Sequence, residues 1–547
     1  MNLVSKCSRI NNQVIISSFF IIILLAGLYL SDDYGISIDE PFHRTLGYFW
    51  YIQIFEYFST NTLEIEILKE KYNSMFWSRE ITGGQYRQYG VIFDLICVFL
   101  EESFKITDNK SAFQLKHKFN FLIFFFSSIF FYKIIYFRFQ KKIFSLIITF
   151  FYLSTPRIFA ESFYNPKDII FMCFCLFSIY FAINILVKQN LINIIFFAFF
   201  SALATSTRVL GVLFFFLFLI FIIFMFLEKK TTLKLGLKMI FIYIISYLIF
   251  LYIFWPFLWE NPIGNIFYAF KSFANYQWEG DVLYLGNFIK ATNLPWHYSF
   301  TWIYATLPLF VFLFFLFGFI FIFKRFIKKY LDLSDKTFLW ETEHELIDYF
   351  LLFFFLIPIF AIIFFGSTLY GGWRHLYFLY PTIIYFFAFG IDNFINLMSK
   401  KKYNFIFPIL FLSLIFNNIF ILIKFHPYQN TFFNITLEKK ANELFSIDYW
   451  GLSNLEALKY LDTIEKNNFS IAVASFTPIV YSKIIYNSKN DIELLGTNKT
   501  KADYIFTNYV YEQNPNKIKK YKIPDNYVKI KSVYRGDILI NEIYKKK

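Results

Sequence analysis

Ile38-Asp39-Glu40-Pro41-Phe42-His43-Arg44 follows directly on a hydrophobic run at residues 12–30. Two adjacent carboxylates, an imidazole and a guanidinium thus stand where the chain leaves an apolar segment. Ionisable groups at a membrane boundary are costly and usually functional. Outward from this stretch the chain alternates apolar runs with short polar loops. A helix that crosses a bilayer needs about 20 apolar residues, and such runs lie near 12–30, 118–137, 143–158, 169–187, 191–207, 209–227, 238–256, 305–323, 347–366, 378–397 and 405–424. They predict a polytopic α-helical membrane protein of about 11 transmembrane helices. The first run lacks a small-residue cleavage site and further spans follow it, so it reads as a retained anchor.

Composition agrees. The 547 residues are 57% hydrophobic with a mean hydropathy of +0.48, which fits a membrane protein with polar loops and not a soluble enzyme. Phe (83) and Tyr (40) are abundant in the manner of an AT-rich genome, so an aromatic stripe reads as membrane filler. The net charge of +14 lies mostly on Lys in loops between spans and in the C-terminal region, which topology explains without nucleic acid. Cys7, Cys97, Cys173 and Cys175 show no metal-ligand spacing and read as buried thiols.

The basic loops set the orientation. Arg138 with Lys141 and Lys142, Lys188, Lys229-Lys230 with Lys234 and Lys238, Lys324-Arg325 with Lys328-Lys329, and Lys400-Lys401-Lys402 alternate along the chain as one side should. With Lys6 and Arg9 they are placed in the cytoplasm by the positive-inside rule. The N-terminus is then cytoplasmic in an inner (plasma) membrane. Residues 31–117, 158–168, the turn near 208, 257–304, 367–377 and everything after 425 face the periplasm or the outside. Within the long loop 31–117, Ile92, Leu95, Ile96, Phe99 and Leu100 share one helical face. This predicts an interfacial helix over Tyr89–Glu102. Read as a span instead, it would invert the topology and put Arg138 to Lys142 outside.

Residues 1–424 thus form a transmembrane domain, and 425–547 differ in kind. Short apolar runs at 470–475, 504–507, 527–532 and 537–541 read as strands, and 452–467 as a helix. They predict a small extracytoplasmic α/β domain.

Arg44, Arg79, Arg87, Arg157, Arg208, Arg374 and Arg535 fall outside on this topology, in a chain that otherwise prefers Lys. The planar fork of Arg suits phosphate. Carboxylates accompany them: Asp39 and Glu40, then Glu161, Asn165, Lys167 and Asp168 in the loop that opens with Thr155-Pro156-Arg157. If the segment is helical throughout, Glu161, Asn165 and Asp168 share a face. If a helix begins near Pro166, Asn165 caps it. Trp255 to Pro262, Leu294 to Tyr298 and Tyr370-Gly371-Gly372-Trp373-Arg374-His375-Leu376-Tyr377 add aromatic and polar groups at other outer span ends. An aromatic belt accounts for the Trp and Tyr, but not for Glu260, His297, Arg374 and His375. His43, His297 and His375 lie on three loops without metal-ligand spacing.

These residues resemble the GT-C fold glycosyltransferases that use a polyprenyl-phosphate sugar, in particular bacterial relatives of protein O-mannosyltransferases and of lipid A aminoarabinose transferase. The acidic pair Asp39-Glu40, the loop Pro156 to Asp168, the Gly371 to His375 loop, and His426-Pro427-Tyr428-Gln429 with Asp448-Tyr449-Trp450-Gly451 carry the resemblance. It covers about residues 12–430. A Pro-Pro pair that many relatives carry before the interfacial helix is replaced by Gln88-Tyr89-Gly90. The resemblance implies sugar transfer to an acceptor hydroxyl with inversion. It implies Asp39 as general base, Glu40 in support, and His43, Arg44, Arg157, Glu161, Asn165, Lys167, Asp168, Arg208, Trp373, Arg374 and His375 around the substrates. No organic cofactor is called for, and a divalent cation is left open. The implied partners are a polyprenyl-phosphate sugar, the lipid bilayer and an acceptor glycan, lipid or protein. The rival readings are a transporter or flippase, which wants charge at mid-membrane, and an O-antigen polymerase or ligase for lipid-linked glycans.

Overall fold

The structure, a computed structural model, describes residues 3–274, 276, 278–332, 338–399 and 406–547, without the side chains of 3–11, 399, 406 and 407. The basic run Lys400-Lys401-Lys402 lies outside the described residues, as do the side chains of Lys6, Cys7 and Arg9. Nine helices among the described residues are long and apolar enough to cross a membrane, or ten if one bent pair is a single broken span. Leu191–Thr207 is a shorter apolar helix. Each of the expected runs is helical, and the chain is a multi-pass membrane protein.

Two runs differ in detail. The run at 143–158 is two helices, Lys142–Ser154 and Pro156–Tyr164, bent by 63°. Thr155 between them is extended, as the residue before a proline prefers. The run at 305–323 begins only at Leu309, after Pro308, and Tyr298–Thr306 forms a separate short helix. Polar side chains set other helix starts. Asp108 accepts from the Ser111 N–H (2.8 Å) at the head of Asn109–Phe139, and Asn190 accepts from the Ile192 N–H (2.9 Å) at the head of Leu191–Thr207.

Residues 31–117 are not an open loop. They fold into Glu40–Phe58, Thr62–Asn73, Ser78–Thr82 and Ile92–Ser103, the last being the expected amphipathic helix. At 12 residues, Ile92–Ser103 is too short to cross a bilayer. It packs against Glu40–Phe58 and the start of Asn109–Phe139.

Asp348, fully buried, gathers four helices at one end of the bundle. Arg138 donates to both its oxygens (2.9 Å each), and Arg325 and Tyr385 also donate to it. Lys141 pairs with Asp392 (2.6 Å) nearby. From Lys116 to Arg138 one helix runs 22 residues (138 minus 116), about 33 Å at the α-helical rise. That is close to the roughly 30 Å hydrocarbon thickness of a bilayer. The two ionic ends of the bundle are therefore a membrane apart.

Beyond the bundle, a hairpin of β1 (Asp281–Tyr284) and β2 (Asn287–Lys290) leads to the C-terminal sheet. That sheet contains β3 (Phe469–Val473), β4 (Ile492–Leu494), β5 (Tyr504–Thr507), β6 (Tyr527–Arg535) and β7 (Ile538–Lys546), in the order β4-β3-β5-β7-β6. β3 pairs in parallel with β4 and β5, and β7 runs antiparallel to β5 and β6. β3 and β5 are buried along their whole length, which is why they read as continuous apolar runs.

Removing one partner of a buried ion pair costs about 3–5 kcal/mol. Asp348→Ala is expected to lower the unfolding midpoint in detergent by that free energy, because two guanidiniums lose their counter-ion. A midpoint equal to that of the wild type would mean that water replaces the carboxylate.

Candidate active site

The opening acidic stretch divides its side chains between two faces. Ser37 and Glu40 form the reach-back half of a capping box: the Ser37 N–H donates to Glu40 Oε2 (2.7 Å), and the helix Glu40–Phe58 starts there. Glu40 is 0% exposed, with His117 Nε2 3.0 Å from its other oxygen. One turn on, His43 Nδ1 lies 3.4 Å from Asp94, which also accepts from Lys116 (2.7 Å). Arg44 forks onto Glu101 (3.0 Å from Nε, 2.5 Å from Nη2) and donates to Asn109 (2.8 Å). Positions 40, 43 and 44 share one helical face, and that face is clamped to Ile92–Ser103 and Asn109–Phe139. Glu40, His43 and Arg44 therefore face local carboxylates, cations and imidazoles and not Arg374, although Glu40 Oε1 and His43 Nδ1 make no hydrogen bond there.

Asp39, one residue before that face, turns the other way. Its side chain is 34% exposed, and Oδ2 accepts from Arg374 Nη1 (2.7 Å). Oδ1 has no partner among the described residues. Arg374 also stands 3.9 Å from Asp168 and is packed among the rings of Tyr370, Tyr449 and Trp450 (4.8–5.0 Å). Gly371 (φ +66°) and Gly372 (φ +79°) bring this loop in: a Cβ on Gly371 would sit 3.2 Å from Arg374 Cδ, and one on Gly372 3.4 Å from Trp302.

The second loop supplies the floor. Asn165 Oδ1 accepts from the Asp168 N–H (2.9 Å), so Asn165 caps the helix Asp168–Lys188, and Glu161 belongs to the preceding helix. Asn165 Nδ2 donates to Glu161 (2.8 Å) and Asp168 (3.2 Å), and the Tyr377 hydroxyl donates to Glu161 (2.7 Å). Arg208 donates to Asp168. Lys167 makes no ion pair among the described residues; its ammonium sits over the Tyr89 ring at 3.7 Å. Burial, with help from Arg208, pushes the Lys167 ammonium well below its usual range. Trp373 is buried and donates to Thr306 (2.9 Å), a packing position. His375 packs on Tyr370, and its Nδ1 is buried without a partner. Arg208 Nε and Arg374 Nε are also buried without a partner.

The site thus holds Asp39, Asp168, Lys167, Arg208, Arg374 and His375 together. Its basic groups outnumber its carboxylates, and two buried N–H groups, Arg208 Nε and Arg374 Nε, face no acceptor. The donor set does not fit a divalent cation, because Asp39 and Asp168 are already held by guanidiniums. His43 is tied to Asp94 and His297 to the Tyr284 hydroxyl (2.6 Å), and no group of three or more metal ligands forms among the described residues.

Sequence reading missed the aromatic lining and the clamp. Tyr89, Tyr370, Tyr449 and Trp450 contact the cations directly. Asp94, Lys116, His117 and Glu101 hold the acidic stretch. The Gln88-Tyr89-Gly90 segment reaches the site by close approach: a Cβ on Gly90 would sit 1.3 Å from the Ser206 carbonyl oxygen. The C-terminal motifs wrap the first loop, with Ile38 N–H donating to the Trp450 carbonyl (3.2 Å) and Tyr34 to Gln429 (2.9 Å).

No protein-family model matches the chain, and no curated protein matches it. Among solved structures it is similar to the oligosaccharyltransferase AglB from Archaeoglobus fulgidus, in complex with an inhibitory peptide and a dolichol-phosphate. The identity is 10% and the TM-score 0.47, over 89% of this chain and 69% of that one. It is also similar to ArnT from Cupriavidus metallidurans bound to undecaprenyl phosphate, at 8% identity and a TM-score of 0.41, over 96% and 97% of the two chains.

The clamp has a pH signature. Burial alone would raise the Asp94 carboxyl, but Lys116 and then His43 hold it down to about 2. A depressed carboxyl contributes stability that is complete above its unfolded value, about 3.9, and is lost as pH falls through the folded one. Asp94→Asn is therefore expected to be less stable than wild type at pH 7, with the gap closing between about pH 4 and pH 2. A gap independent of pH would show that charge is not what Asp94 contributes.

Proposed function

We propose that the chain is a membrane glycosyltransferase that moves a sugar from a polyprenyl-phosphate donor to an acceptor hydroxyl, with Asp39 as general base and inversion at the anomeric carbon. One observation carries this reading: a partly exposed carboxylate with a free oxygen stands beside a lysine without an ion pair and two arginines whose Nε groups face no acceptor. Asp39 Oδ1 takes the acceptor hydroxyl proton. The hydroxyl oxygen then bonds to the anomeric carbon, and the bond from that carbon to the phosphate oxygen breaks with its electron pair. The lipid phosphate leaves as a monoester with one more negative charge. It needs charge stabilisation more than a proton, and Lys167, Arg208 and Arg374 are placed to give it. An anion there also restores the charge that burial takes from Lys167.

The remaining groups support these. Glu40 fixes the helix start that aims Asp39. Asn165 and Asp168 position Arg208 and Arg374. On the positive-inside reading the site opens to the outer, extracytoplasmic face of the plasma membrane, with the C-terminal domain on the same side. Ionic groups stand at the two ends of the bundle, not at mid-span where a transporter would bind its substrate.

Asp39→Asn is expected to lower kcat about 10²- to 10⁴-fold, the usual contribution of a general base, with the unfolding midpoint kept. Arg374→Ala is expected to lower kcat/KM for a polyprenyl-phosphate sugar by about 10²-fold, while Arg325→Ala at the opposite end leaves turnover unchanged. Wild-type turnover by Asp39→Asn would remove the base assignment, and equal losses at Arg374 and Arg325 would remove the phosphate site.

A further inference from the structure

Arg157 is not accounted for by the donor site. It lies in the first turn of Pro156–Tyr164, is only 4% exposed, and its guanidinium sits against the rings of Trp302 (5.5 Å) and Phe433 (5.8 Å). Nε and Nη2 are buried with no hydrogen-bond partner, and no carboxylate pairs with the group among the described residues. Glu161, one turn away, is near enough for the Arg157 charge to act on it, but its oxygens bond Asn165 and Tyr377 and leave the Arg157 N–H groups without an acceptor. Buried guanidinium N–H groups left without acceptors are costly, and an acceptor brought by a ligand would offset that cost.

Arg157 lines a cleft between the membrane bundle and the C-terminal domain. Trp278, Tyr298, Tyr370 and Tyr449 form much of the wall, and Glu512 comes from the C-terminal side. Glu512 Oε2 is likewise buried without a partner, although Oε1 accepts from Lys520. Trp278 stacks on Tyr370 (centroids 4.9 Å apart), and Tyr370 is packed against Arg374. The cleft therefore shares a wall with the Asp39–Arg374 pair, while the unpaired Lys167 and the Asp168-bound Arg208 belong to the donor-phosphate side. Flat aromatic walls suit the C–H face of a sugar ring, and an unpaired carboxylate oxygen suits a hydroxyl donor.

We propose that this cleft binds a sugar bearing an anionic group, a carboxylate or a phosphate, with Arg157 pairing with that group and Glu512 accepting from a ring hydroxyl. Resting on the transferase reading, the cleft is the acceptor side of the site, and the acceptor is an acidic sugar presenting its hydroxyl to Asp39. The pairing itself is independent of that reading and is tested without a donor.

The full-length protein in detergent is titrated with glucuronate, glucose 6-phosphate and glucose, following tryptophan fluorescence. The expected result is saturable binding of at least one anionic sugar, tenfold or more tighter than glucose; which one binds tells carboxylate from phosphate. Arg157→Gln is expected to abolish that preference, and Arg157→Lys, which keeps the charge and loses the fork, to weaken it. Should Arg157→Gln fail to fold, Arg157→Lys decides alone: unchanged affinity overturns the proposal. Equal binding of glucose and both anionic sugars, or a preference that survives Arg157→Gln and disappears in Arg374→Ala, also overturns it. Arg157-dependent binding without transfer from any polyprenyl-phosphate sugar would leave the subsite standing and remove the transferase reading. Transfer to a neutral acceptor without anion binding would do the reverse.

Discussion

Arg374 ties the cleft together. It joins Asp39, 335 residues earlier in the chain, to the neighbourhood of Asp168, and three aromatic rings from two segments fix its plane. The ring contacts exclude water and so strengthen the Asp39 bond, and the bond in turn holds the Gly371–Gly372 turn against Trp302. First loop, second loop, glycine loop and C-terminal wrap all meet at this guanidinium. Each is short and polar, and none would keep its shape alone at a membrane surface.

The clamp beneath the acidic stretch plays the complementary part. Glu40, His43 and Arg44 pair with residues of the helices Ile92–Ser103 and Asn109–Phe139, which fixes the rotation of Glu40–Phe58 about its axis. Asp39 then has one direction left. A buried ionic face of this kind gains little net stability, since desolvation opposes the Coulomb attraction, but it admits one register only. The price of that specificity falls on a surface away from the chemistry.

Much of this was legible in the sequence. The apolar runs, the interfacial helix and the C-terminal strands follow from period and length, because lipid and core impose those patterns directly. Asp39, Lys167, Asp168, Arg208 and Arg374, which the structure brings together, stand out in the sequence because ionisable groups at span ends are rare. The division within Asp39 to Arg44 is not legible in spacing: 39 and 43 are four apart, as 40 and 44 are, and Asp39 stands apart because it precedes the helix at its N-cap. Adjacency in the chain was taken for adjacency in the cleft. The break at Thr155 had its signal in Pro156. The ring contacts of Tyr370, Tyr449 and Trp450 with Arg374 had almost none, because an excess of Phe and Tyr hides functional aromatics among those that only face lipid. That the Arg157 N–H groups lack an acceptor depends on side-chain directions that no spacing encodes.

The helix Asn109–Phe139 carries the clamp at one end and the Asp348 cluster at the other, about 33 Å apart. Both ends resist entry into hydrocarbon, so this distance acts as a ruler for the surrounding lipid. A thinner bilayer would leave an apolar girdle wet, and a thicker one would draw the cleft toward the acyl chains unless the bundle tilts. The depth of the cleft relative to the lipid headgroups then depends on acyl-chain length, and the bundle is matched to hydrocarbon of about one thickness.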